Sequence, residues 1–277
     1  MALETLEPEH DSEGFCALKT KILTERGLDV YQYKDKFLIR RFNARMRSRC
    51  AHTYDDYMKC LDQDPLEYIK LFDKLTINVT EFFRNPEMWA AFKSKVLPKV
   101  LDQCQERRIV RFWSAGCASG EEPYTMAMLV DEFLWNREHN LQVTIRGTDL
   151  DEDALKTARA GVYPCDKLKK VPVHYTKVNF IQEGEFFKVR DKLKEHVRFQ
   201  RHDLISGKKN KYFDVIFCRN VIIYFTKAQQ LKLFHEFHDA LTLDGFMVLG
   251  KTETLLQECK CLFKIVDSHE RIYQKIE

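Results

Sequence analysis

The fold turns on residues 109–123: Ile109-Val110-Arg111-Phe112-Trp113-Ser114-Ala115-Gly116-Cys117-Ala118-Ser119-Gly120-Glu121-Glu122-Pro123. The first six residues form a short, largely apolar run that reads as a buried strand. The small residues after them read as a turn into a helix predicted over about 121–135. Small residues there let the backbone approach a ligand at the carboxyl end of a parallel strand, where open α/β sheets bind. The dinucleotide fingerprint G-x-G-x-x-G is absent, and Glu121 and Glu122 at the helix start would repel a phosphate. A cationic or zwitterionic ligand suits the turn better. Read alone, a glycine-containing βα turn is equally consistent with a plain tight turn.

Downstream, the pattern repeats. Strands are predicted over 143–148, 213–218 and 246–250, helices over 151–159 and 227–241, and a closing hairpin over 263–266 and 271–274. Strands alternating with amphipathic helices predict a parallel α/β sheet. A polar stretch, about 171–197, interrupts the alternation. Within it, residues 180–189 around Glu183-Gly184-Glu185 predict a β-hairpin, and hence a small inserted β-subdomain. Upstream, residues 12–75 are helical in pattern, with capped helix starts at Thr53-Tyr54-Asp55-Asp56 and Asp64-Pro65-Leu66-Glu67. The expected organisation is a helical domain over 12–75 and an α/β domain over 76–277 carrying the insertion.

A chain of 277 residues, 44% hydrophobic, can bury cores for about two domains. Lys and Arg number 45 against 42 for Asp and Glu, a net charge of +3, which argues against a protein wrapped wholesale on nucleic acid. The nine cysteines are scattered and odd in number, with no C-x-x-C pair, so reduced thiols are expected rather than a disulfide framework or a zinc site. His235 and His238 sit at helix spacing without an evident third ligand, so no metal is expected. Residues 1–11 lack the apolar core of a signal peptide, and no run of about 18 apolar residues occurs. A cytoplasmic protein without membrane insertion is expected.

Three further segments carry chemistry. The second strand ends in Gly147-Thr148-Asp149, an acid placed to accept both hydroxyls of a ribose; the alternative is that Asp149 caps the helix beginning at Asp151. A ribose without phosphates points to S-adenosylmethionine. Residues 213–225 form an apolar strand that releases Arg219 and Asn220 at its carboxyl end, either toward the reacting end of a ligand or as a simple strand-end turn. Tyr224 beyond them fits a core aromatic equally well. At the seam of the two textures, residues 76–86 offer Asn78, Thr80 and Arg84 as polar groups beside Phe82 and Phe83; by themselves they read as an interdomain linker. In the helical part, Arg40, Arg41, Arg45, Arg47 and Arg49 crowd one segment. They fit a solvated basic face, a docking surface for an acidic partner or, without an accompanying aromatic platform, less well an RNA site.

Together these segments resemble the chemotaxis-receptor protein-glutamate methyltransferases, the CheR family. The matching strings are "LTINVTEFFR", "FWSAGCASGEEPYTMAML", "TDLDEDALKTARAGVYP" and "FDVIFCRNVIIYF", in the family order, with "LTLDGFMVLGKTETL" continuing the match. The resemblance runs from about residue 12 to 275, and "GEEPYT" with "FCRNVIIYF" is its most specific part.

It implies a Rossmann-like S-adenosylmethionine-dependent methyltransferase domain with a small β-subdomain, preceded by an all-helical domain. It implies that Asn78, Thr80, Arg84, Glu121 and Asp149 touch the cofactor, near the Gly116 turn. Asn220 and Val221, with Asp203 and Leu204, should frame its adenine and methionine ends. The family usually has Asn at the place of Asp203; an ionised acid cannot donate a hydrogen bond as an amide can. Arg84 and Tyr224 match positions implicated in catalysis. The implied substrates are glutamates in the cytoplasmic domains of transmembrane chemoreceptors, with S-adenosylhomocysteine as product. No nucleic acid or metal is involved, and the enzyme is expected to act as a monomer. The hairpin "NFIQEGEFFKV" lacks the longer glycine-rich loop of members that grip a receptor tail, so independence from such a tether is expected.

Overall fold

The computed structural model describes residues 11–76, 78–135, 137 and 140–277. Most of the polar amino-terminal stretch and Ile77 of the seam segment lie outside the described residues. The chain divides into two compact units, one of residues 1–77 and 224–229, the other of residues 78–223 and 230–277.

The first unit contains α1 (Ser12–Arg26), α2 (Asp35–Ser48), α3 (Tyr54–Gln63) and α4 (Leu66–Leu75). Three of the four starts have a local cause. Asp11 accepts the backbone N–H groups of Glu13 and Gly14, and Thr53 accepts that of Asp56 at 3.1 Å. At the start of α4, Asp64 accepts the N–H of Leu66 at 3.1 Å. Leu18, Ile22, Leu38, Phe42, Met46 and Leu71 fill the core. A carboxylate is buried with them. Glu67, with no exposed surface, takes a two-pronged ion pair from Arg45 at 2.8 and 2.7 Å and a hydrogen bond from the Tyr57 hydroxyl at 2.9 Å. Burial alone would raise the Glu67 pKa, but these donors outweigh it and hold the carboxyl below its ordinary value.

The second unit opens with α5 (Pro86–Ala91) and, after a single π-turn, α6 (Leu97–Gln103). The main alternation follows as β1 (Ile109–Ala115), α7 (Glu121–Leu134), β2 (Gln142–Asp149) and α8 (Glu152–Ala160). A small subdomain then holds β3 (Val162–Pro164), α9 (Val173–Asn179), β4 (Phe180–Glu183) and β5 (Phe186–Val189). The chain returns through α10 (Asp191–Lys194) and β6 (Val197–Arg201), and closes with β7 (Phe213–Cys218), α11 (Lys227–Ala240), β8 (Leu241–Leu249), β9 (Phe263–Asp267) and β10 (Ile272–Lys275).

The seven-stranded sheet has the order β6-β2-β1-β7-β8-β10-β9. β6, β2, β1, β7 and β8 run parallel, and β10 is antiparallel to both its neighbours. β1 is followed outward by β2 on one side and borders β7 on the other, so the switch in winding direction lies at its carboxyl end, where such sheets bind ligands. The expected α/β class is therefore observed. The three-stranded sheet has the order β3-β5-β4 and starts at Val162, earlier than the expected 171. β3 is three residues long and ends in proline, so it carries no strand signal. No helix among the described residues is long and apolar enough to cross a membrane.

Candidate active site

The turn after β1 is built on backbone shape. Gly116 has φ +84°, and a Cβ there would come within 2.3 Å of Val221 Cγ2. The close approach joins the carboxyl ends of β1 and β7, and only glycine accepts both the conformation and the contact. Gly120, at φ +93°, leads into α7, where a Cβ would meet Ala158 at 2.8 Å.

The two acids at the start of α7 have different tasks. Glu122 accepts the Ser114 hydroxyl at 2.8 Å and the Arg219 guanidinium at 3.0 Å. Glu121 has no exposed surface; its carboxylate accepts the Ser119 hydroxyl at 2.7 Å and the Lys167 ammonium at 3.0 Å. Lys167 also donates to the Thr80 carbonyl at 3.1 Å. A negative group at this end of α7 is favoured by the helix dipole, and the lysine balances its charge.

At the tip of β2, Asp149 accepts the N–H of Ala118 at 2.8 Å and of Asp151 at 3.0 Å. Burial pushes its carboxyl above the ordinary aspartate range, against the pull of those donors. The cap of α8 is Asp151, which accepts from Asp153 and Ala154 at 2.8 and 3.0 Å. Asp149 is thus free of the capping role. Asn78 Nδ2 donates to Asp151 at 2.6 Å and ties the seam segment to the same strand tip.

Next to it, the N–H of His202 donates to the Asp149 carbonyl at 2.9 Å and brings the end of β6 alongside. Asp203 turns its carboxylate into its own loop, accepting the Ile205 N–H at 2.8 Å and the Ser206 hydroxyl at 2.6 Å. Leu204, half-buried, follows it.

Beyond β7, Asn220 adopts φ +61°, and Glu253 fixes the turn. This carboxylate, 2% exposed, accepts the N–H groups of Gly250, Asn220 and Val221 at 2.7, 2.8 and 2.9 Å. Burial raises its pKa, opposed by those donors and by the Ile223 N–H. Arg219 does not take the outward course that one of the two strand-end readings gave it. It is 7% exposed and turns inward, donating to Glu122, to the Arg84 carbonyl at 3.0 Å and to Asn85 Oδ1 at 2.8 Å. It thereby holds the 84–85 backbone, while the Arg84 side chain, half-exposed, donates to the Val79 carbonyl at 2.9 Å.

Asn78, Thr80, Gly116, Glu121, Asp149, Asp203, Asn220 and Val221 are thus linked around the carboxyl ends of β1, β2, β6 and β7. A cavity of about 680 Å³ is lined by α7, α9 and α10 residues, among them Met128, Trp135 and Tyr175, and by none of the site residues.

Residues 78–272 match the CheR methyltransferase S-adenosylmethionine-binding domain, and residues 13–76 the CheR all-alpha domain. The chain belongs to the CheR methyltransferase family. It is similar to a chemotaxis protein methyltransferase of Listeria monocytogenes, 33% identical over 83% of this chain and 86% of that protein. A second relative, a chemotaxis protein methyltransferase of Borreliella burgdorferi, is 32% identical over 83% of each chain. Among solved structures, a TehB-like S-adenosylmethionine-dependent methyltransferase from Corynebacterium glutamicum matches with TM-score 0.38 and 14% identity, over 69% of this chain and 96% of that one.

This CheR family member is an S-adenosylmethionine-dependent methyltransferase. Its residues fit the cofactor. Glu121 already carries an ammonium, supplied by Lys167, so the position takes a cation; Gly116 leaves a cradle that a Cβ would fill; and Asp149 offers a carboxylate at the strand tip.

In the other unit, the Tyr224 ring lies 4.8 Å from that of Phe37, and its carbonyl accepts the Lys34 N–H at 2.9 Å. Of the five arginines, Arg40, Arg47 and Arg49 are exposed and Arg41 and Arg45 are half-buried. Arg45 serves Glu67, and Arg49 lies 3.4 Å from Asp64, so both have partners within the helical unit.

Two residues of the site, Glu253 and Lys167, were not assigned from the sequence, and the direction of a third, Arg219, was left open. Glu253 had a faint signal, an acid just past a glycine at the end of a buried strand. Lys167 had none, and the inward turn of Arg219 depends on partners far along the chain.

Proposed function

We propose that this enzyme transfers the methyl group of S-adenosylmethionine to the γ-carboxylate of specific glutamates in chemoreceptor cytoplasmic domains, forming methyl esters for sensory adaptation. Membership of the CheR family carries the reading, because curated relatives are named chemotaxis protein methyltransferases. The cytoplasm, where those receptor domains lie, is the proposed location.

Asn78, Thr80, Arg84, Gly116, Glu121, Asp149, Asp203, Leu204, Asn220 and Val221 form the cofactor site in this reading. Asp149 accepts the ribose hydroxyls. Asp203, acceptor only, suits an amino group rather than a ring nitrogen of adenine. When bound, S-adenosylmethionine supplies an electrophilic methyl on a sulfonium. The substrate carboxylate, with an ordinary glutamate pKa of about 4.3, is ionised at neutral pH and needs no general base. What the protein contributes is alignment and loss of water, worth about 7–11 kcal/mol for well-oriented pairs. Arg84 holds the carboxylate through charge-assisted hydrogen bonds, and Tyr224 orients it.

Arg40, Arg41 and Arg47 on α2 dock the acidic methylation helices of the receptor. Arg45 supports that helix from within through Glu67, and Arg49, just past its end, pairs with Asp64. The short hairpin of β4 and β5, with only Gly184 at its turn, argues for methylation without a receptor-tail tether. Micromolar binding of a receptor-tail pentapeptide would overturn that point.

Incubation with methyl-labelled S-adenosylmethionine and receptor cytoplasmic fragments tests the whole. Base-labile methyl esters on glutamate are expected, and label that is absent or base-stable would refute the reading. Tyr224→Phe is expected to keep cofactor affinity and lose turnover; unchanged turnover removes Tyr224 from the mechanism.

A further inference from the structure

Glu121 is a site carboxylate that no ligand can reach as it stands. It has no exposed surface, and both its oxygens are taken, Oε2 by the Ser119 hydroxyl and Oε1 by the Lys167 ammonium. The two covers are not alike. Ser119 is a short side chain fixed to the glycine turn. Lys167 comes from the short helical turn Cys165–Leu168 in the β-subdomain, on a four-carbon stem that is 36% exposed. The lysine can swing out toward solvent without moving backbone.

What it would leave behind is a site for another ammonium. The Lys167 Nζ is shared between Glu121 Oε1 and the Thr80 carbonyl, at 3.0 and 3.1 Å, two acceptors arranged for one cation with several N–H donors. Exchange of one ammonium for another keeps the buried carboxylate balanced throughout, which removal of the lysine alone would not. In the amino-acid end of S-adenosylmethionine, the α-ammonium and the α-carboxylate sit on the same carbon. A lysine displaced by the first is therefore left beside the second.

We propose that Lys167 is a cofactor-binding residue: it covers Glu121, yields that place to the cofactor's α-ammonium, and then pairs with the α-carboxylate. The proposal rests on the reading of Glu121 as a cofactor contact. It makes the β-subdomain part of the cofactor site and gives the pocket a means of recognising a zwitterion rather than a simple amine.

Calorimetric titration with two ligands tests it: S-adenosylhomocysteine, and the same thioether nucleoside lacking the carboxylate, which ends in a propylamine. The wild type is expected to prefer the carboxylated ligand by about tenfold or more, the scale of a charge-assisted contact. Lys167→Met should collapse the preference, whatever it does to the affinity for the amine ligand, and Lys167→Arg should keep it. A Lys167→Met protein that retains the preference, or that weakens both ligands equally, would overturn the proposal. Glu121→Gln tests the underlying reading. Loss of both ligands is expected, whereas unchanged affinity for both would show that the pocket itself is misassigned, whatever Lys167 does.

Discussion

Gly116 and Val221 meet so closely that a single methyl group separates a working turn from a strained one. Gly116→Ala would place a Cβ 2.3 Å from Val221 Cγ2 at φ +84°, a conformation costing about 1–3 kcal/mol for a non-glycine residue. The expected result is a loss of S-adenosylhomocysteine affinity of about tenfold or more with an unchanged far-UV circular dichroism spectrum; wild-type affinity would contradict it. Asp149 yields a pH test. Its folded pKa is raised by burial above the unfolded value near 3.8, so the native state holds its proton longer. Its contribution to stability therefore falls as pH rises from the unfolded value through the folded one, and is constant beyond. Urea unfolding of wild type and Asp149→Asn across this window should show the wild type losing ground as pH rises; a constant difference would rule the raised pKa out. The places of Gly116, Glu121 and Asp149 were legible because strand, turn and helix are local patterns, and each residue sits at a fixed point in one. Lys167 and Glu253 were not, because their partners lie 46 and about 33 residues away in the chain and only the folded sheet brings them together.

Within α2, neighbouring arginines do opposite things, and their variants should separate cleanly. Glu67, wholly buried against Arg45 and Tyr57, leaves an unpaired guanidinium behind when truncated. Glu67→Ala is expected to cost about 3–5 kcal/mol in chemical unfolding, whereas Arg47→Ala, exposed, should change stability by no more than about 0.5 kcal/mol. Equal effects would mean that the buried pair is not what holds α2 and α4. Because the folded Glu67 pKa is depressed, its support is present above the ordinary glutamate value and is lost as pH falls through the folded one. Elements followed the same logic of local against distant causes. The hairpin of β4 and β5 could be read from Gly184 and its flanking residues. β6, Val-Arg-Phe-Gln-Arg, carried too few apolar residues to announce itself, since an edge strand needs to bury little. The opening of β8, Leu-Thr-Leu-Asp-Gly, falls between the expected helix ending at 241 and the strand expected from 246, yet it is part of the strand, with Asp244 at φ +60° and a register shift against β7.

For the whole molecule, a net charge of +3 hides an uneven distribution, and the exposed arginines of α2 form the basic face proposed to meet the receptor. If they do, kcat/KM for receptor fragments falls as salt rises, and Arg40→Ala with Arg47→Ala flattens that dependence at unchanged cofactor affinity. An identical salt dependence in the double variant would place docking elsewhere. At the mouth of the sheet, in the proposed reading, carboxylates at the start of α7 and the tip of β2 select a charged sulfur nucleoside over a phosphorylated one. Calorimetric titration of the intact chain with S-adenosylmethionine and, separately, with ADP tests it most directly. One saturable site for S-adenosylmethionine, abolished by Asp149→Ala, with no measurable heat from ADP, is the expected result; binding of ADP at that site, or none of S-adenosylmethionine, would contradict it.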